Sequence, residues 1–588
     1  MLPIRKTHRQ HEGELHVQRM RNAPADQSSY ISGAINDEMS HQHVDYYRQL
    51  QFLPISALDT SGTPWVTILC NPTITAPNNE LLLVNARVNP VDPFVVAACA
   101  SEGRPIQFAG VGIDFRRRSR VKIAGAVESA TVTTASGDEQ QLRIALQTNE
   151  HMGNCPKYIT IRQLRPLRRT PITASFQKHL PTQALELLEK ASTIFIATRH
   201  HDQDERESDM GCNHRGGPKG FVRYFEDENG GHLVLQDYSG NRFYQSLGNV
   251  ETDPVMGIAI PDFTNGDLLQ VSGRARNLFN EQAEKIMPGA TLITLVSVNS
   301  AFLTRGALDL ELLGHEQMSP YNPKLRFLAK EAPASRKSVD LKAKLIGIRK
   351  ESKLISTFTF ALPSPADLVP GGHAIFDFSK YAERQYRHMN DRDPQSLNDD
   401  YVRTYTVSAI SEDKLHIAIT VKKSGVVSSF LHAQSLDDDE PLELDIKGLG
   451  GNFTCFDEDN PVPKMIWVAG GAGITPFLAM YRALRASGQA LPEIELYYSC
   501  RGDELALIAE MTDIDVKVFD STFSSILPGT SCRTFFGRRI MPTDLPEARQ
   551  LIDKTIFICG PAGLMADVSS WLDGKVDPSR IRYESFTF

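Results

Sequence analysis

The chain has 588 residues, of which 41% are hydrophobic and 23% charged, and its formal net charge is −8. This length exceeds what one hydrophobic core usually serves, and the composition is typical of folded globular proteins, so we expect three or four domains and neither a disordered nor a membrane protein. The acidic balance gives no general attraction to phosphate backbones, so nucleic acid is not expected as a partner.

Targeting segments and metal-binding patterns are also missing from the sequence. No run approaches the ~20 apolar residues that span a bilayer, and residues 1–30 lack the apolar core of a signal peptide. We therefore expect a cytoplasmic protein without a membrane partner. The eight cysteines lack the close spacings of zinc or iron–sulfur sites, so no metal is expected.

The N-terminal half is rich in predicted strands. Residues 1–50 form a polar extension with a helical patch that begins near Met39. In residues 51–175, short β-branched or aromatic runs are separated by Gly, Pro and Asn turns, which predicts a small barrel. The predicted strands are 52–57, 65–70, 81–85, 106–108 and 120–132. The same rhythm returns in residues 176–330, with strands predicted at 194–197, 221–225, 232–235, 257–260 and 268–275.

One spacing indicates that these two stretches are copies of one unit. Asp114 is followed by Phe115 and, eleven residues after the aspartate, by Gly125; Asp262 is followed by Phe263 and, after the same interval, by Gly273. A repeated spacing is the signature of a repeated structural unit, although a single match can also arise by chance. We predict an internal duplication of one barrel.

The C-terminal half changes in character along its length. Residues 331–338 are small and charged, as in a surface linker, and we place the main boundary there. Residues 339–453 are again rich in strands. Residues 454–588 alternate strands with helices, which predicts a parallel sheet covered on both faces. The expected strands are 465–469, 494–499 and 555–559, and the expected helices are 476–486 and 564–572.

Two motifs in residues 339–453 suit a nucleotide ligand. Strand alternation puts Arg403 and Tyr405 on one face. A guanidinium binds phosphate through paired donors and a phenol ring stacks on a flat heterocycle, so the pair suits a flavin nucleotide; the alternative is an ordinary barrel strand. Gly425 to Ser428 follow a strand and open a helix, which offers backbone N–H groups and a hydroxyl to a phosphate.

Two glycine loops follow in residues 454–588. The run GGAGITP (470–476) joins an apolar strand to an apolar helix, and its glycines let a pyrophosphate approach the backbone at the helix N-terminus. The run CGPAGLM (559–565) ends a later strand of the same sheet. Ligands of open α/β sheets bind outside such strand ends, so both loops predict one dinucleotide site.

The motifs RTYT, GVVS, GGAGITP and CGPAGLM, in this order and spacing, resemble the ferredoxin-NADP reductase superfamily over residues 339–588. The resemblance implies a six-stranded antiparallel FAD-binding β-barrel (339–453) followed by a parallel-sheet, Rossmann-like NAD(P)-binding domain (454–588). It also implies that Arg403, Gly425 and Ser428 hold the flavin phosphates and that Tyr405 stacks on the flavin ring.

The same resemblance implies catalytic and dinucleotide-binding residues. Thr406 would lie near flavin N5 and Cys559 beside the nicotinamide, while Glu584, followed by Phe586, matches the acidic-aromatic end of such reductases. Phe588 either covers the flavin or is a frayed terminus. The dinucleotide would be lined by Gly471, Gly473, Thr475, Gly560 and Pro561.

The choice between the two nicotinamide dinucleotides depends on the second predicted strand of this sheet. Ser499 and Arg501 follow that strand, where an adenine ribose is read. A hydroxyl and a guanidinium there favour NADPH, while Asp503 and Glu504 count against it. The sequence therefore leans towards NADPH.

Three phrases of the N-terminal half, at 154–159, 214–222 and 237–242, resemble the flavin-nucleotide-binding branch of the pyridoxamine-phosphate-oxidase-like split barrels over residues 11–280. The resemblance implies FMN at an interface between two barrels, which a duplicated split β-barrel could build within one chain. The candidate phosphate donors are Arg215, Ser239, Asn241 and Arg242. The alternative is that these glycine-rich segments are only turns. The first repeat has fewer candidate donors, so a second FMN is not expected.

The sequence as a whole predicts a multidomain α+β and α/β flavoprotein that transfers hydride from NAD(P)H to FAD. In the first hypothesis, electrons continue to FMN and then to a small-molecule acceptor or oxygen, because the chain has no iron–sulfur motif. In the second, the protein is a reductase component for a separate redox protein, with the N-terminal barrels as a docking or ligand-binding module. A purely flavin-storing role would leave the nucleotide site without a purpose.

Overall fold

The computed structural model describes residues 10–23, 35–100, 106–135, 139–201, 209–331, 337–382, 386–437, 440–457, 460–522 and 532–584. Two compact units are present: unit 1 comprises Met1–Glu331 with Gln385–Asp399, and unit 2 comprises Ala332–Arg384 with Asp400–Phe588. The change of unit at 331/332 lies at the start of the predicted linker. Segment 385–399 belongs to unit 1, although its sequence position lies inside the predicted FAD-binding barrel.

Among the described residues, the first half of unit 1 contains an antiparallel sheet of seven strands with three helices. The helices are α1 (Glu12–Met20), α2 (His41–Arg48) and α3 (Pro93–Cys99). The strands are β1 (Phe52–Leu58), β2 (Pro64–Cys70), β3 (Thr73–Asn78), β4 (Leu81–Arg87), β5 (Ile106–Asp114), β6 (Ser119–Thr134) and β7 (Gln140–Asn154). Their order across the sheet is β2-β1-β5-β6-β7-β4-β3.

In the part of the second half of unit 1 that the structure describes, there are three further helices and ten further strands. The helices are α4 (Thr182–Lys190), α5 (Gln245–Thr252) and α6 (Glu281–Ile286). The strands are β8 (Ile161–Pro166), β9 (Ile172–Gln177), β10 (Thr193–His200), β11 (Asp209–Gly216), β12 (Val222–Asp227), β13 (Gly230–Gln236), β14 (Val255–Asp262), β15 (Asp267–Phe279), β16 (Leu292–Arg305) and β17 (Leu310–Gln317). The main sheet has the order β11-β10-β14-β15-β16-β13-β12, with β9 added on β16, and β17 pairs with β8.

The two sheets have the same strand order when β1 to β7 are matched with β10 to β16. A β-bulge repeats as well, because the register shifts at Gly125 in β6 and at Gly273 in β15. A Cβ at either glycine would lie 2.0 Å from a carbonyl oxygen of the neighbouring strand, that of Gln147 or that of Ser297. The repeated sequence interval therefore marks the same bulge in both sheets, where only glycine fits.

A shared core joins the two halves of unit 1. The rings of Phe115 and Phe263, from the repeated Asp-Phe pairs, lie 5.6 Å apart between centroids, in a cluster that draws buried residues from both sheets. The Arg162 guanidinium lies over both rings, at 4.8 and 5.7 Å from their centroids, and is paired with Glu316 at 2.9 Å. The two sheets thus pack on each other through equivalent residues.

Unit 2 begins with a closed six-stranded antiparallel barrel, as the sequence predicts. Its strands are β18 (Lys337–Lys350), β19 (Ile355–Ala361), β20 (His373–Asp377), β21 (Val402–Ile410), β22 (His416–Lys422) and β23 (Glu443–Gly450), in the order β18-β19-β22-β21-β20-β23. The barrel closes because β23 pairs with both β20 and β18. Helix α7 (Val426–His432) connects β22 to β23.

The predicted parallel sheet follows the barrel. A short hairpin, β24 (Phe456–Asp457) and β25 (Asn460–Pro461), precedes it. The sheet strands are β26 (Lys464–Gly470), β27 (Glu493–Cys500), β28 (Asp515–Asp520), β29 (Arg533–Phe536), β30 (Thr555–Cys559) and β31 (Ile581–Glu584), ordered β29-β28-β27-β26-β30-β31. The helices are α8 (Thr475–Ala486), α9 (Ala548–Leu551) and α10 (Ala562–Leu572). Within the described ranges, no helix has both the length and the apolar character needed to cross a membrane.

Candidate functional site

The first glycine loop of unit 2 leaves the central strand of the parallel sheet. β26 ends at Gly470, a 3-10 turn follows, and α8 begins at Thr475, whose hydroxyl donates to Ala472 O at 3.0 Å. Gly471 has a φ of +53°, which favours glycine. A Cβ on Gly473 would lie 2.4 Å from Cys559 O. The loop therefore tolerates only glycine where it touches β30.

The two predicted dinucleotide motifs meet at neighbouring strand ends. β26 and β30 run parallel, with Ala469 opposite Cys559. A Cβ on Gly560 would lie 3.1 Å from Gly470 N, and one on Gly470 would lie 2.9 Å from Pro561 Cδ. β27 lies on one side of β26, and β30 lies on the other side. The order in which successive strands are added to the sheet therefore reverses at β26. Such switch points are where open α/β sheets bind ligands.

Cys559 and Glu584 lie opposite each other at the ends of β30 and β31. Both are buried, with exposed fractions of 0% and 8%. Burial, reinforced by the nearby Glu584 carboxylate, raises the pKa of the Cys559 thiol well above its ordinary value. Burial alone raises the pKa of Glu584 to about 7. Cys559 is thus a neutral thiol at pH 7, whereas Glu584 exchanges a proton near neutrality.

The predicted flavin-binding strand is β21. Tyr405 is partly buried beside the rings of Phe376 and Phe378, whose centroids lie 6.2 and 6.4 Å away, and burial raises its pKa to about 12. Arg403, two positions earlier on the same face, is partly exposed and donates to Val402 O at 3.0 Å. Thr406 is 5% exposed and lies on the opposite face. The strand therefore presents a cation and a neutral phenol together.

Gly425 and Ser428 lie at the start of α7. The Ser428 hydroxyl accepts from the N–H groups of Ser424 (2.9 Å) and Gly425 (2.8 Å) and donates to Gly425 O (3.1 Å). This hydroxyl holds the turn into the helix, so in this structure it acts as a local cap. The phosphate role that the resemblance implies for Ser428 stays a prediction. At Gly425, a Cβ would meet no atom within 4 Å.

A buried carboxylate lies beside the first glycine loop. Ser499 is opposite Gly470 across β26 and β27, and the exposed Arg501 donates its backbone N–H to Glu504 Oε2 at 2.9 Å. Glu504 is 4% exposed, and its Oε1 is 2.6 Å from Lys422 Nζ of the barrel. In the sequence analysis, Glu504 counts only against NADPH binding. No sequence pattern predicts its ion pair with Lys422. Phe586, Phe588 and the side chain of Asp503 lie outside the described residues.

The three sequence segments of the N-terminal half that carry the split-barrel resemblance contact one another in unit 1. Arg215, near the end of β11, pairs with Asp237 at 3.1 Å. The Ser239 carbonyl accepts from both Lys157 Nζ and Tyr158 OH at 2.8 Å. Segments 154–159, 214–222 and 237–242 are therefore one cluster in space. We call residues 237–242 the phosphate loop, after the role predicted for its side chains.

Two residues that the sequence did not single out contact the phosphate loop. Asn398 Oδ1 accepts from Ser239 N at 2.9 Å, and the Arg242 guanidinium lies 3.6 Å from the centroid of the Tyr386 ring. Arg242 itself has a φ of +65°, and Asn241 Oδ1 accepts from Phe243 N at 3.1 Å. The loop is therefore tightly turned and held partly by segment 385–399.

The first repeat lacks donor side chains at the equivalent positions. Matching Asp114 with Asp262 and following the strand registers makes Leu69 the counterpart of Arg215. The registers of β4 with β7 and of β13 with β16 likewise match Asn85 with Gln236. Counting on from that pair gives the counterparts of Ser239, Asn241 and Arg242, which are Val88, Pro90 and Val91. The cationic and polar cluster thus exists on one side of the pseudo-symmetric pair.

Across the ranges of residues that the structure describes, no group of three or more His, Cys, Asp or Glu side chains is placed to hold a metal ion.

Several sequence relatives are reductases or electron-transfer components by name. No family model matches the chain. It is 27% identical over 197 residues to NADH-cytochrome b5 reductase 2 of Aspergillus oryzae (30% of this chain, 54% of that protein). It is 25% identical over 195 residues to the glycine betaine monooxygenase reductase subunit of Pseudomonas aeruginosa (32% and 51%) and 23% over 273 residues to the 2-halobenzoate 1,2-dioxygenase electron transfer component of Burkholderia cepacia (45% and 72%). The chain spans about half the length of the first two.

Solved structures add little to this result. Flavohemoglobin from Malassezia yamatoensis matches with a TM-score of 0.32 and 20% identity, over 43% of this chain and 62% of that chain. The chain is therefore similar, over part of its length, to proteins named as reductases and electron-transfer components, and unit 2 has the closed barrel followed by a parallel sheet that the motifs predict. The split-barrel interpretation of unit 1 stays a prediction.

Proposed function

We propose that the protein is an NAD(P)H-dependent flavin oxidoreductase that binds FAD and NAD(P)H in unit 2 and FMN in unit 1. One observation carries the first part of the proposal. The two glycine loops meet at the switch point of the parallel sheet, and at Gly473 the clearance to Cys559 O leaves no room for a side chain. A glycine loop at a helix N-terminus, which exposes backbone N–H groups instead of side chains, suits a pyrophosphate.

The residues of unit 2 bind and orient rather than act as strong acids or bases. Arg403 supplies paired donors for a phosphate, and Tyr405 supplies a flat neutral wall for the flavin ring. Bound FAD would accept hydride from the nicotinamide, so catalysis depends mainly on orientation and on the exclusion of water. Thr406 and Cys559, both buried, provide neutral walls, and Glu584 provides a group that takes or gives a proton near pH 7.

The FMN part of the proposal is supported by the cluster in the second repeat. Lys157 donates to the Ser239 carbonyl, Arg215 pairs with Asp237 of the same loop, and Arg242 lies at the end of that loop. These cationic side chains on and around one loop suit a phosphate monoester. Because the counterparts in the first repeat are apolar, the second repeat alone carries such a cluster among the described residues of the two sheets. We accordingly propose a duplicated split barrel with a single FMN, from which electrons pass to a small-molecule acceptor or oxygen.

A second candidate function is a reductase component that delivers electrons to a separate redox protein. It is favoured by the similarity to subunits that, by name, serve a monooxygenase and a dioxygenase. In that case unit 1 is a docking or ligand-binding module. We also propose NADPH as the preferred nucleotide, since the exposed Arg501 follows β27 beside the glycine loop.

The test is steady-state oxidation of NADPH and NADH by the purified full chain, reconstituted with FAD, with ferricyanide as electron acceptor. We expect saturable oxidation of both nucleotides, a lower KM for NADPH, and loss of that difference in Arg501→Ala. Absence of oxidation with either nucleotide would contradict the proposed function. A lower KM for NADH would reject only the nucleotide preference.

A further inference from the structure

Segment 385–399 joins two adjacent strands of the barrel in unit 2, β20 and β21, yet it packs in unit 1. Met389 and Leu397 are partly buried against the core of the second repeat. Gln395 Nε2 donates to the carbonyl groups of Pro320 and Asn322, at 2.6 and 2.8 Å. Apolar burial combined with hydrogen bonds to backbone makes this segment an integral part of unit 1.

Asn398 and Tyr158 together hold the two backbone groups of Ser239 in the phosphate loop. Its Oδ1 accepts from Ser239 N at 2.9 Å, and its Nδ2 donates to Tyr158 OH at 3.0 Å. Tyr158 OH in turn donates to Ser239 O at 2.8 Å. The three residues form a closed ring of hydrogen bonds that fixes the peptide orientation on either side of Ser239.

Tyr386 holds the other end of the loop. Its hydroxyl donates to Gly240 O at 3.1 Å, and its ring stacks against the Arg242 guanidinium at 3.6 Å from the centroid. Stacking uses the flat face of a guanidinium, whereas phosphate oxygens are bound through the N–H groups at its edge. The contact with Tyr386 therefore sets the plane of Arg242 and is compatible with phosphate binding.

We propose that Asn398 and Tyr386 are positioning residues for FMN, which pre-organise the phosphate loop from a segment that the chain carries between two strands of the other unit. The inference rests on the FMN binding proposed for unit 1. Fixing a loop in its binding conformation before the ligand arrives lowers the entropic cost of binding. Consequently, residues 1–331 alone would bind FMN more weakly than the full chain.

The experiment uses the full chain freed of FMN and titrated with FMN or with riboflavin, which has the same ring but no phosphate. The variants are Asn398→Ala and Tyr386→Leu, with Arg392→Ala, an exposed residue of the same segment, as the control. The FAD content of each sample is the internal reference. We expect each of the first two variants to weaken FMN about 5- to 10-fold, the effect of one or two hydrogen bonds. Riboflavin binding in these variants and FMN binding in the control should not change.

Four results would overturn the inference. Tighter FMN binding in Asn398→Ala would show that the segment competes with phosphate for Ser239 N–H. Equal losses of FMN and riboflavin affinity would show a general packing role. Unchanged FMN affinity would show no role, with the proposed function intact. A wild-type chain that retains FAD but binds no FMN would reject the FMN site itself, and this inference with it.

Discussion

The candidate sites of unit 2 and unit 1 are held in place in different ways. In unit 2, the loop around Gly473 is fixed by its own sheet, since it packs against the end of the neighbouring strand with no space for a side chain. In unit 1, the phosphate loop is held by side chains from distant positions, Tyr158, Tyr386 and Asn398. Substitutions in the glycine loop around Gly473 should therefore disable the first site, whereas substitutions at the distant residues Tyr386 and Asn398 should be enough to weaken the second.

The largest expected effect is that of Gly473→Ala. The new Cβ would lie 2.4 Å from Cys559 O, so the loop or β30 must move, and the nicotinamide would be misplaced. We expect kcat/KM for NAD(P)H to fall about 100-fold, as an ~1 Å misplacement can produce. The measurement is ferricyanide reduction. Gly153→Ala in unit 1, where the new Cβ meets no atom within 4 Å, is the control. Nearly wild-type activity of Gly473→Ala would refute the claim that this loop has no room for a side chain at position 473.

The equivalence of the two repeats is tested by Gly125→Ala and Gly273→Ala. Each Cβ would lie 2.0 Å from a carbonyl oxygen of the neighbouring strand, so each should lower the free energy of unfolding of unit 1 by a similar amount, roughly 1–3 kcal/mol. Urea unfolding followed by circular dichroism measures this change. Gly153→Ala, in open space at the end of β7, should be neutral. Strongly unequal changes in the free energy of unfolding for Gly125→Ala and Gly273→Ala would show that the two bulges are not equivalent.

The difference between the repeats is tested by Arg215→Ala and its counterpart Leu69→Met. Loss of one charged donor to a phosphate costs about 1.5–3 kcal/mol, so we expect FMN affinity to fall about 20-fold in Arg215→Ala. Leu69→Met conserves volume and should leave FMN binding unchanged. Flavin fluorescence titration measures both. A second FMN per chain, or equal losses in the two variants, would show that both repeats carry a site.

The smallest expected effect concerns Glu584 in unit 2. Its pKa is raised by burial to about 7, so the folded chain holds this proton more tightly than the unfolded chain. Its contribution to stability is therefore greatest below the ordinary value of 4.5 and is lost as the pH rises through about 7. From pH 6 to 8 we expect unit 2 to lose about 1 kcal/mol, or about 2–4 °C in the temperature of FAD release. This loss should be absent in Glu584→Gln, and an identical pH dependence in both proteins would show that the carboxyl is not perturbed.

Much of unit 2 could be predicted because its motifs are local. A strand, a glycine loop and a helix occupy consecutive residues around Gly473, and Cys559 ends a strand of the same parallel sheet, so their meeting follows from the sheet architecture. The exception is Ser428. A serine three residues after the N-cap residue of a helix suits capping as well as phosphate binding, and in this structure its hydroxyl bonds to the backbone of residues 424 and 425.

The contacts that hold the phosphate loop could not be predicted from one sequence. Asn398 is 159 positions from Ser239, and no local pattern links them. The same holds for Lys422 and Glu504, which are 82 positions apart. By contrast, the repeat was visible in a single interval, because a bulge that brings two backbones within contact distance demands glycine in both copies. Sequence patterns thus record local steric demands better than distant side-chain partners.

We propose above that one chain binds one FAD in unit 2 and one FMN in unit 1, and that electrons pass from the FAD to the FMN. Acid release and chromatography of the flavins from purified full-length protein, followed by anaerobic titration of the same sample with NADPH and with NADH, tests it directly. We predict about one FAD and one FMN per chain, reduced in sequence by the nucleotide. FAD alone, fully reduced with no FMN present, would contradict the internal electron-transfer chain and favour unit 1 as a docking module for a separate redox protein.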